Sequence, residues 1–552
     1  MVFCHNFRLY RFNNFNPNQN SGDVLADRAT WYRIRREMFE QLMAEVSVRW
    51  GREPAELKSY RKAYALETSR KWKVADRKDL IEAFRKHRII LMGDFHAIQQ
   101  SQKTQLRLLE LFRNEGAGAF SLAVECFPAK FQKEVDAYMA GALSEDKFLK
   151  KIGWAKNWGF PWEHYRPLFD WARRSRIKVL ALNGPQSKMS ERERFAAGVL
   201  KNRFDRDPSG KWVVLYGDLH LGENKLPAAF ERRELPRPLR IFQNVEEVSF
   251  RLMKKGLDHQ TDLVRYDRSA FAVLSVPPWV KWQNYLLWLD HTLDHELDEG
   301  AGDATDSVAR MVDWLKKELR LDVSTSHLTV YTAGDPDLWS RVRNSASPHE
   351  RKWIEMLIED GRSFYLSKAG WGYLARPSVN HAASLAMQFI HDRITGGSSL
   401  GFRFPEDFMR MIWIEAVAYF GSKIINPKRK SDTLFDIRSS LSSRRGNDRG
   451  QEALRLALSQ KMVEMMAASG AGRITPFRPK HKSSWIAAAH LLGALVGERL
   501  YHGYRKNLIS VSTLQSVLKK PLKHDGFGLI YHELLEMIEA LPAPFRSKKE
   551  KL

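Results

Sequence analysis

The sequence predicts an α/β fold: a mostly parallel sheet with flanking helices, preceded by an N-terminal helical extension and followed by an all-α C-terminal domain. Three observations predict it. Short apolar, β-rich runs alternate with segments of helical period between residues 87 and 218, the rhythm of βαβ units. Polar, ligand-competent residues stand at the same end of each run. Beyond about residue 345 the strand-like runs stop and amphipathic helical segments take over.

In chain order, residues 1–24 are polar and rich in Asn, with little to order them. Residues 25–72 read as helix, with Trp31, Ile34, Met38, Leu42, Val46 and Trp50 near helical spacing. "HRIILMGD" (87–94) is the first strand, and "QKTQLRLLELFRNEG" (102–116) a helix stopped by Gly116. "AFSLAVECF" (119–127), "SRIKVLALN" (175–183) and "GKWVVLYGD" (210–218) are the next strands. "RSAFAVLSV" (268–276) and "SHLTVYTAGD" (326–335) are expected as edge strands, with helices over 281–320 between them. Residues 381–394 and 408–425 are helical, and the basic, Ser-rich stretch 426–450 is expected as a mobile loop. The boundaries predicted are 1–75 for the N-terminal extension, 76–345 for the α/β domain and 346–552 for the helical domain.

Composition sets outer limits. The chain has 552 residues, 43% of them hydrophobic and 11% aromatic, enough for packed cores rather than disorder. A formal charge of +24 suits anionic company: nucleic acid, an anionic membrane face, or an acid such as a propionate-bearing porphyrin. The charges interleave with acids, however, and no nucleic-acid motif accompanies them, so solvated helix faces are the plainer reading and no nucleic-acid partner is expected. The two cysteines, Cys4 and Cys126, do not make a disulfide framework. Neither a secretory signal, nor a lipobox, nor about 18 uninterrupted apolar residues is visible. The expected location is therefore cytoplasmic, with envelope association only if the start site is misassigned.

Chemistry is concentrated in "LMGDFH" (91–96) and "VLYGDLH" (214–220). Each runs an apolar strand into Gly-Asp-x-His, placing Asp94/His96 and Asp218/His220 two residues apart, the period of a strand. Ligands bind beyond the carboxyl ends of parallel strands, and Glu125 and Asn183 end the strands between. Two imidazoles and several carboxylates there suit a divalent metal, with Asp94 and Asp218 as ligands or as acceptors orienting the histidines. Cys126, next to Glu125, points the other way and reads as a small buried residue. The dense aromatics of "GWAKNWGFPWEHY" (153–165) and "VPPWVKWQNYLLWL" (276–289) read either as core or as the wall of a flat pocket. His291 and His295 in "DHTLDHELDE" read as an exposed acidic helix face.

The Gly-Asp-x-His pair, "AVECF" between them, and "WAKNWGFPWEHYRPLFDWARRSRIKVLALNGP" (154–185) resemble the ChaN-like domain of the Tiki/EreA/TraB superfamily over roughly residues 80–345. The matching positions are Gly93, Asp94, His96, Glu125, Trp158, Tyr165, Asn183, Gly217 and His220. Asp94 stands where the family carries Glu, one methylene shorter in reach. The resemblance implies a haem- or metal-binding protein holding its ligand at the strand ends through His96, Glu125 and His220. Asp94 and Asp218 would orient or assist there, and Tyr165, Asn183 and Trp158 would line the pocket. On the haem branch it implies His96, His220 or Tyr165 as axial ligand and a homodimer closing around the haem. On the hydrolase branch it implies a metal-dependent ester or amide hydrolase with His96, Glu125 and His220 catalytic and Glu125 accepting a proton from water. A domain that has lost its chemistry and serves interactions is the third class. The resemblance assigns nothing to residues 346–552.

Overall fold

A computed structural model describes residues 28–51, 53–116, 118–293, 304–397, 407–443, 448–470, 475, 477–522 and 526–542. Its centre is an eight-stranded sheet. The strands are β1 (Lys73–Val74), β2 (Ile89–Asp94), β3 (Ser121–Pro128), β4 (Val179–Asn183), β5 (Trp212–Gly217), β6 (Leu239–Gln243), β7 (Leu263–Asp267) and β8 (Ala270–Val273), in the order β1-β7-β8-β6-β2-β5-β3-β4. All neighbouring pairs are parallel except those that β7 makes with β1 and β8. The predicted α/β class with a mostly parallel sheet and a helical C-terminal region is what the chain forms.

The strands at the middle are apolar without alternation because both faces are covered. In β2, Ile90 and Met92 join the core on one face with Leu108, Phe112 and Phe169. Ile89 and Leu91 join the other with Ala197, Leu200 and Phe230. This is the two-residue period of a strand applied to two hydrophobic layers. From β2 the chain passes to one side, through β3 and β4, and returns by β5 to β2's edge before β6 continues on the other side. The ends of β2 and β5 thus meet where the strand order reverses, the position that leaves a crevice.

A third core joins the N-terminal helix to the C-terminal helices. Trp31, Met38 and Leu42 pack with Trp279, Leu286 and Met311, and with Ile412, Trp413, Leu492 and Tyr531 of the C-terminal helices. Each such buried side chain contributes roughly 1.5–3 kcal/mol. Polar contacts tie the same parts together: Arg35 pairs with Glu318 at 2.7 Å and donates to the Ile424 carbonyl at 2.9 Å, and Lys428 pairs with Asp262 at 2.7 Å.

Several expectations are corrected. Residues 25–72 are two helices among the described residues, Arg28–Trp50 and Ala55–Thr68, separated near Gly51 and Pro54. The run at 268–276 is not an edge strand: β8 lies inside the sheet, between β7 and β6, and both of those strands went unpredicted. The run at 326–335 supplies β9 (Thr329–Tyr331) to a separate sheet with β10 (Phe364–Leu366) and β11 (Trp371–Tyr373), in the order β10-β11-β9. Strands therefore continue beyond residue 345. Seven of the nine residues in these short strands are aromatic or β-branched, but the strands are too brief to show a period. The stretch expected as a loop at 426–450 contains the helix Leu434–Ser443, with Arg429 stacked on Tyr419 at 4.4 Å. His295 lies outside the described residues, as does the side chain of His291. No helix among the described residues is long and apolar enough to cross a membrane.

Candidate functional site

The two Gly-Asp-x-His segments do not align with each other in the sheet. Asp94 at the end of β2 is in register with Gly217 of β5, and Gly93 with Tyr216. Residues in register on parallel strands face the same side, so the one-residue offset sends Asp94 and Asp218 to opposite sides. Each glycine clears room for the other segment. A Cβ on Gly93 would stand 1.8 Å from Asp218 Oδ1. A Cβ on Gly217 would stand 3.3 Å from His220 Cδ2 and 3.4 Å from both Glu125 Oε2 and His96 Nε2.

On the Gly217 side, His96 sits in the turn after β2. Its Nδ1 is 2.8 Å from Asp94 Oδ2, which also accepts the Tyr165 hydroxyl at 3.0 Å. Gln102 Nε2 donates to Asp94 Oδ1 at 2.6 Å. With Nδ1–H held by the carboxylate, Nε2 is left 3.7 Å from Glu125 Oε2. The ring packs edge-on to Trp158, with centroids 4.5 Å apart, and beside Phe160. Burial disfavours the imidazolium, but the Asp94 and Glu125 carboxylates outweigh it and hold the His96 pKa above the ordinary value. Glu125 accepts the Gly217 amide at 2.7 Å and lies 3.7 Å from Arg192. His220, in the tight turn Asp218–Leu221, has its Nδ1 2.7 Å from Glu193 Oε1, between the rings of Tyr60 and Tyr216. Two imidazoles, each oriented through Nδ1 by a buried carboxylate, therefore flank Glu125.

On the opposite side, Asp218 accepts the Tyr64 hydroxyl at 2.5 Å and the Gln243 amide at 3.2 Å. Burial pushes its carboxyl up to about 6, against the pull of the Lys281 charge. Asp218 thus does not orient His220, as the sequence had suggested; Glu193 does. Tyr165 does not line the cavity either. Its hydroxyl faces Asp94 from behind, and burial pushes its pKa well up, with Asp94 adding to the rise. Cys126 is buried and free, its thiol pushed up by burial and by the Asp94 and Glu125 charges, so it is an inert thiol.

The site opens into a cavity of about 1190 Å³, above the roughly 300–1,000 Å³ of ordinary small-molecule pockets. Trp158, Phe160, Trp282, Tyr285 and Trp288 wall it, Asn183 lines it, and the exposed Lys58 and Lys62 bring positive charge to its lining. Among the described residues no group of three or more His, Cys, Asp or Glu side chains is placed to hold a metal ion. The physical reason is visible: Asp94 and Asp218 are engaged by other donors, and His220 turns Cδ2, a carbon, toward the point where His96 and Glu125 meet. Sequence reasoning missed Tyr60, Tyr64, Gln102, Arg192 and Glu193. The i, i+4 spacing of Tyr60 and Tyr64 was the one available signal; "SERERF" around Glu193 reads as a charged helix face.

Residues 80–221 match the family model described as haem-binding uptake, Tiki superfamily, ChaN. This part of the chain is similar to ChaN-like domains. A solved structure, "Cofacial heme binding to ChaN of Campylobacter jejuni", is similar at 13% identity, covering 31% of this chain and 88% of that one, with a TM-score of 0.25. No curated protein matches the chain. The matched segment contains Asp94, His96, Glu125, Tyr165, Glu193 and His220. Tyr60 and Tyr64, and the wall formed by Trp282, Tyr285 and Trp288, come from outside it.

Proposed function

We propose that the ChaN-like domain binds haem in the aromatic cavity, with His96 as the axial ligand. One observation carries this reading: His96 has its Nδ1 fixed by Asp94 at 2.8 Å and its Nε2 directed to the cavity side, against Trp158 and Phe160. A carboxylate on the remote nitrogen is the arrangement that fixes the tautomer and raises the basicity of a metal-ligating imidazole. The walls fit a flat apolar macrocycle, Lys58 and Lys62 suit its carboxylates, and the family description points the same way. When bound, haem supplies an iron that takes a nitrogen ligand. The protein's own part is to orient His96, to hold its Nδ1 proton at Asp94, and to exclude water with the tryptophans. His96 would hold the iron through Nε2, which must be free of the proton that the Asp94 and Glu125 charges favour on the ring.

A second reading, ester or amide hydrolysis with Glu125 as general base, rests on the convergence of His96 Nε2 and Glu125 Oε2 at Gly217. A haemin titration followed by absorbance separates the two. Saturable binding near one haem per chain, lost in His96→Ala and retained in His220→Ala, is the expected result. A featureless titration with turnover of model esters would replace it by the second reading.

A further inference from the structure

A second concave site lies away from the strand ends, at the β1 edge of the sheet. It is a groove of about 550 Å³ formed by the residues around β1, the β7–β8 turn and the end of the helix Glu246–Lys255. Six cations line it: Lys71, Lys73, Arg251, Lys255, Arg265 and Arg268. Asp267 is the one acid in the lining, and it is already engaged: Oδ1 accepts the Ser269 amide at 2.7 Å and Oδ2 accepts Arg70 at 3.1 Å.

The cations are not equivalent. Arg251 is paired with Glu247 at 2.8 Å and Arg265 with Asp79 at 3.2 Å. Among the described residues, no carboxylate pairs with Lys71, Lys73, Lys255 or Arg268. Lys255 instead rests over the Trp72 ring at 4.9 Å, so an anion can recruit it without breaking an ion pair. Edge-strand protection accounts for Lys73 alone; Lys71, Lys255 and Arg268 are not on that strand. Two half-buried aromatic rings, Trp72 and Tyr266, also line the groove. Unpaired cations beside aromatic rings are the combination that holds phosphates and stacks bases. A planar lipid surface does not enter a concave groove of this size, and neither does a duplex.

We propose that this groove binds nucleotide phosphates, as a free nucleotide or within a single strand, with Lys71, Lys73 and Arg268 on the phosphates and Trp72 stacking a base. Three phosphate contacts on a single strand give a slope of log affinity against log salt of about −2, at roughly −0.7 per contact. The test is fluorescence anisotropy of the full chain with a short labelled oligothymidylate and with a labelled adenine nucleotide, over a salt series. The triple variant Lys71→Ala/Lys73→Ala/Arg268→Ala is expected to bind at least tenfold more weakly, with the salt slope collapsing toward zero. All three positions are exposed, so the variant folds; circular dichroism verifies this. Trp72→Ala is expected to weaken binding roughly 5- to 150-fold while leaving the salt slope in place. An oligomer bound more tightly than the mononucleotide identifies a single strand as the source; equal affinities identify a free nucleotide. Absence of binding to both, binding unaffected by the triple variant, or binding confined to vesicles of anionic lipid overturns the proposal.

Discussion

Replacing Gly217 by alanine separates the fold from the site. Gly217 has φ −50° and ψ 133°, a conformation open to any L-residue, so alanine introduces no backbone strain. Loss of glycine's freedom in the unfolded chain should stabilise the protein by about 0.4–1 kcal/mol. The new methyl, however, would stand 3.4 Å from His96 Nε2 and Glu125 Oε2 and 3.3 Å from His220 Cδ2. It fills the space those groups surround, at van der Waals contact with His96 and Glu125 and with the His220 ring giving by a few tenths of an ångström. The unliganded site absorbs the methyl at little net cost, but a ligand atom that needs the same space is overpacked against it by about 1–3 kcal/mol, a roughly 5- to 150-fold weaker Kd. Gly93→Ala is the contrast. Its methyl would overlap Asp218 Oδ1 at 1.8 Å, and Asp218 is anchored by Tyr64 and Gln243, so this variant should lose stability outright. The assay is a haemin titration beside thermal unfolding for both variants. A Gly217→Ala protein that unfolds normally and binds haemin as tightly as the parent would refute the placement of the ligand at this convergence.

Other outcomes follow from the same geometry. Asp94→Asn removes the charge that holds the His96 Nδ1 proton; haemin affinity should drop 10- to 100-fold, and the His96 pKa, read by NMR, should move down. Tyr64→Phe leaves Asp218 with the Gln243 amide as its remaining donor among those described above. It should cost about 1–3 kcal/mol in urea unfolding, coupling the N-terminal helix to the strand ends. His391 is buried, its Nε2 without a partner, and burial pushes its imidazole down to about 4. A depressed histidine pKa means the unfolded chain binds the proton first, so this contribution is complete above about pH 6.5 and is lost as pH falls toward 4. The loss amounts to about 2 kcal/mol by pH 5, and it should disappear from the pH dependence of unfolding in His391→Leu.

Much of the α/β half was legible because its signals are local. A strand buried on both faces must be apolar along its length, and "IILMG" before Asp94 and "WVVLYG" are. A half-buried helix must repeat every three to four residues, as 99–115 does, whereas 408–425 is apolar almost all round because it is buried on nearly every side. A parallel sheet then brings its strand ends to one side, so His96, Glu125 and His220 could be grouped without coordinates. Strands β6 and β7 escaped because "LRIFQ" and "LVRYD" carry arginines: Arg240 is buried with its charge met by Glu67 and Glu223, a compensation invisible in a window of five residues.

The sequence by itself determined the fold class, the strand-end location of the chemistry and the resemblance to ChaN-like domains, since composition and period act over a few residues at a time. Only the tertiary structure decided the role of each group. Register is a relation between strands, and an offset of one residue between β2 and β5 sends Asp94 to His96 and Asp218 to Tyr64. The carboxylate behind His220 comes from Glu193, 27 residues away in the chain, and the aromatic wall from a helix beyond the sheet. Such pairings form only when burial leaves a charged group no partner but the one packed against it.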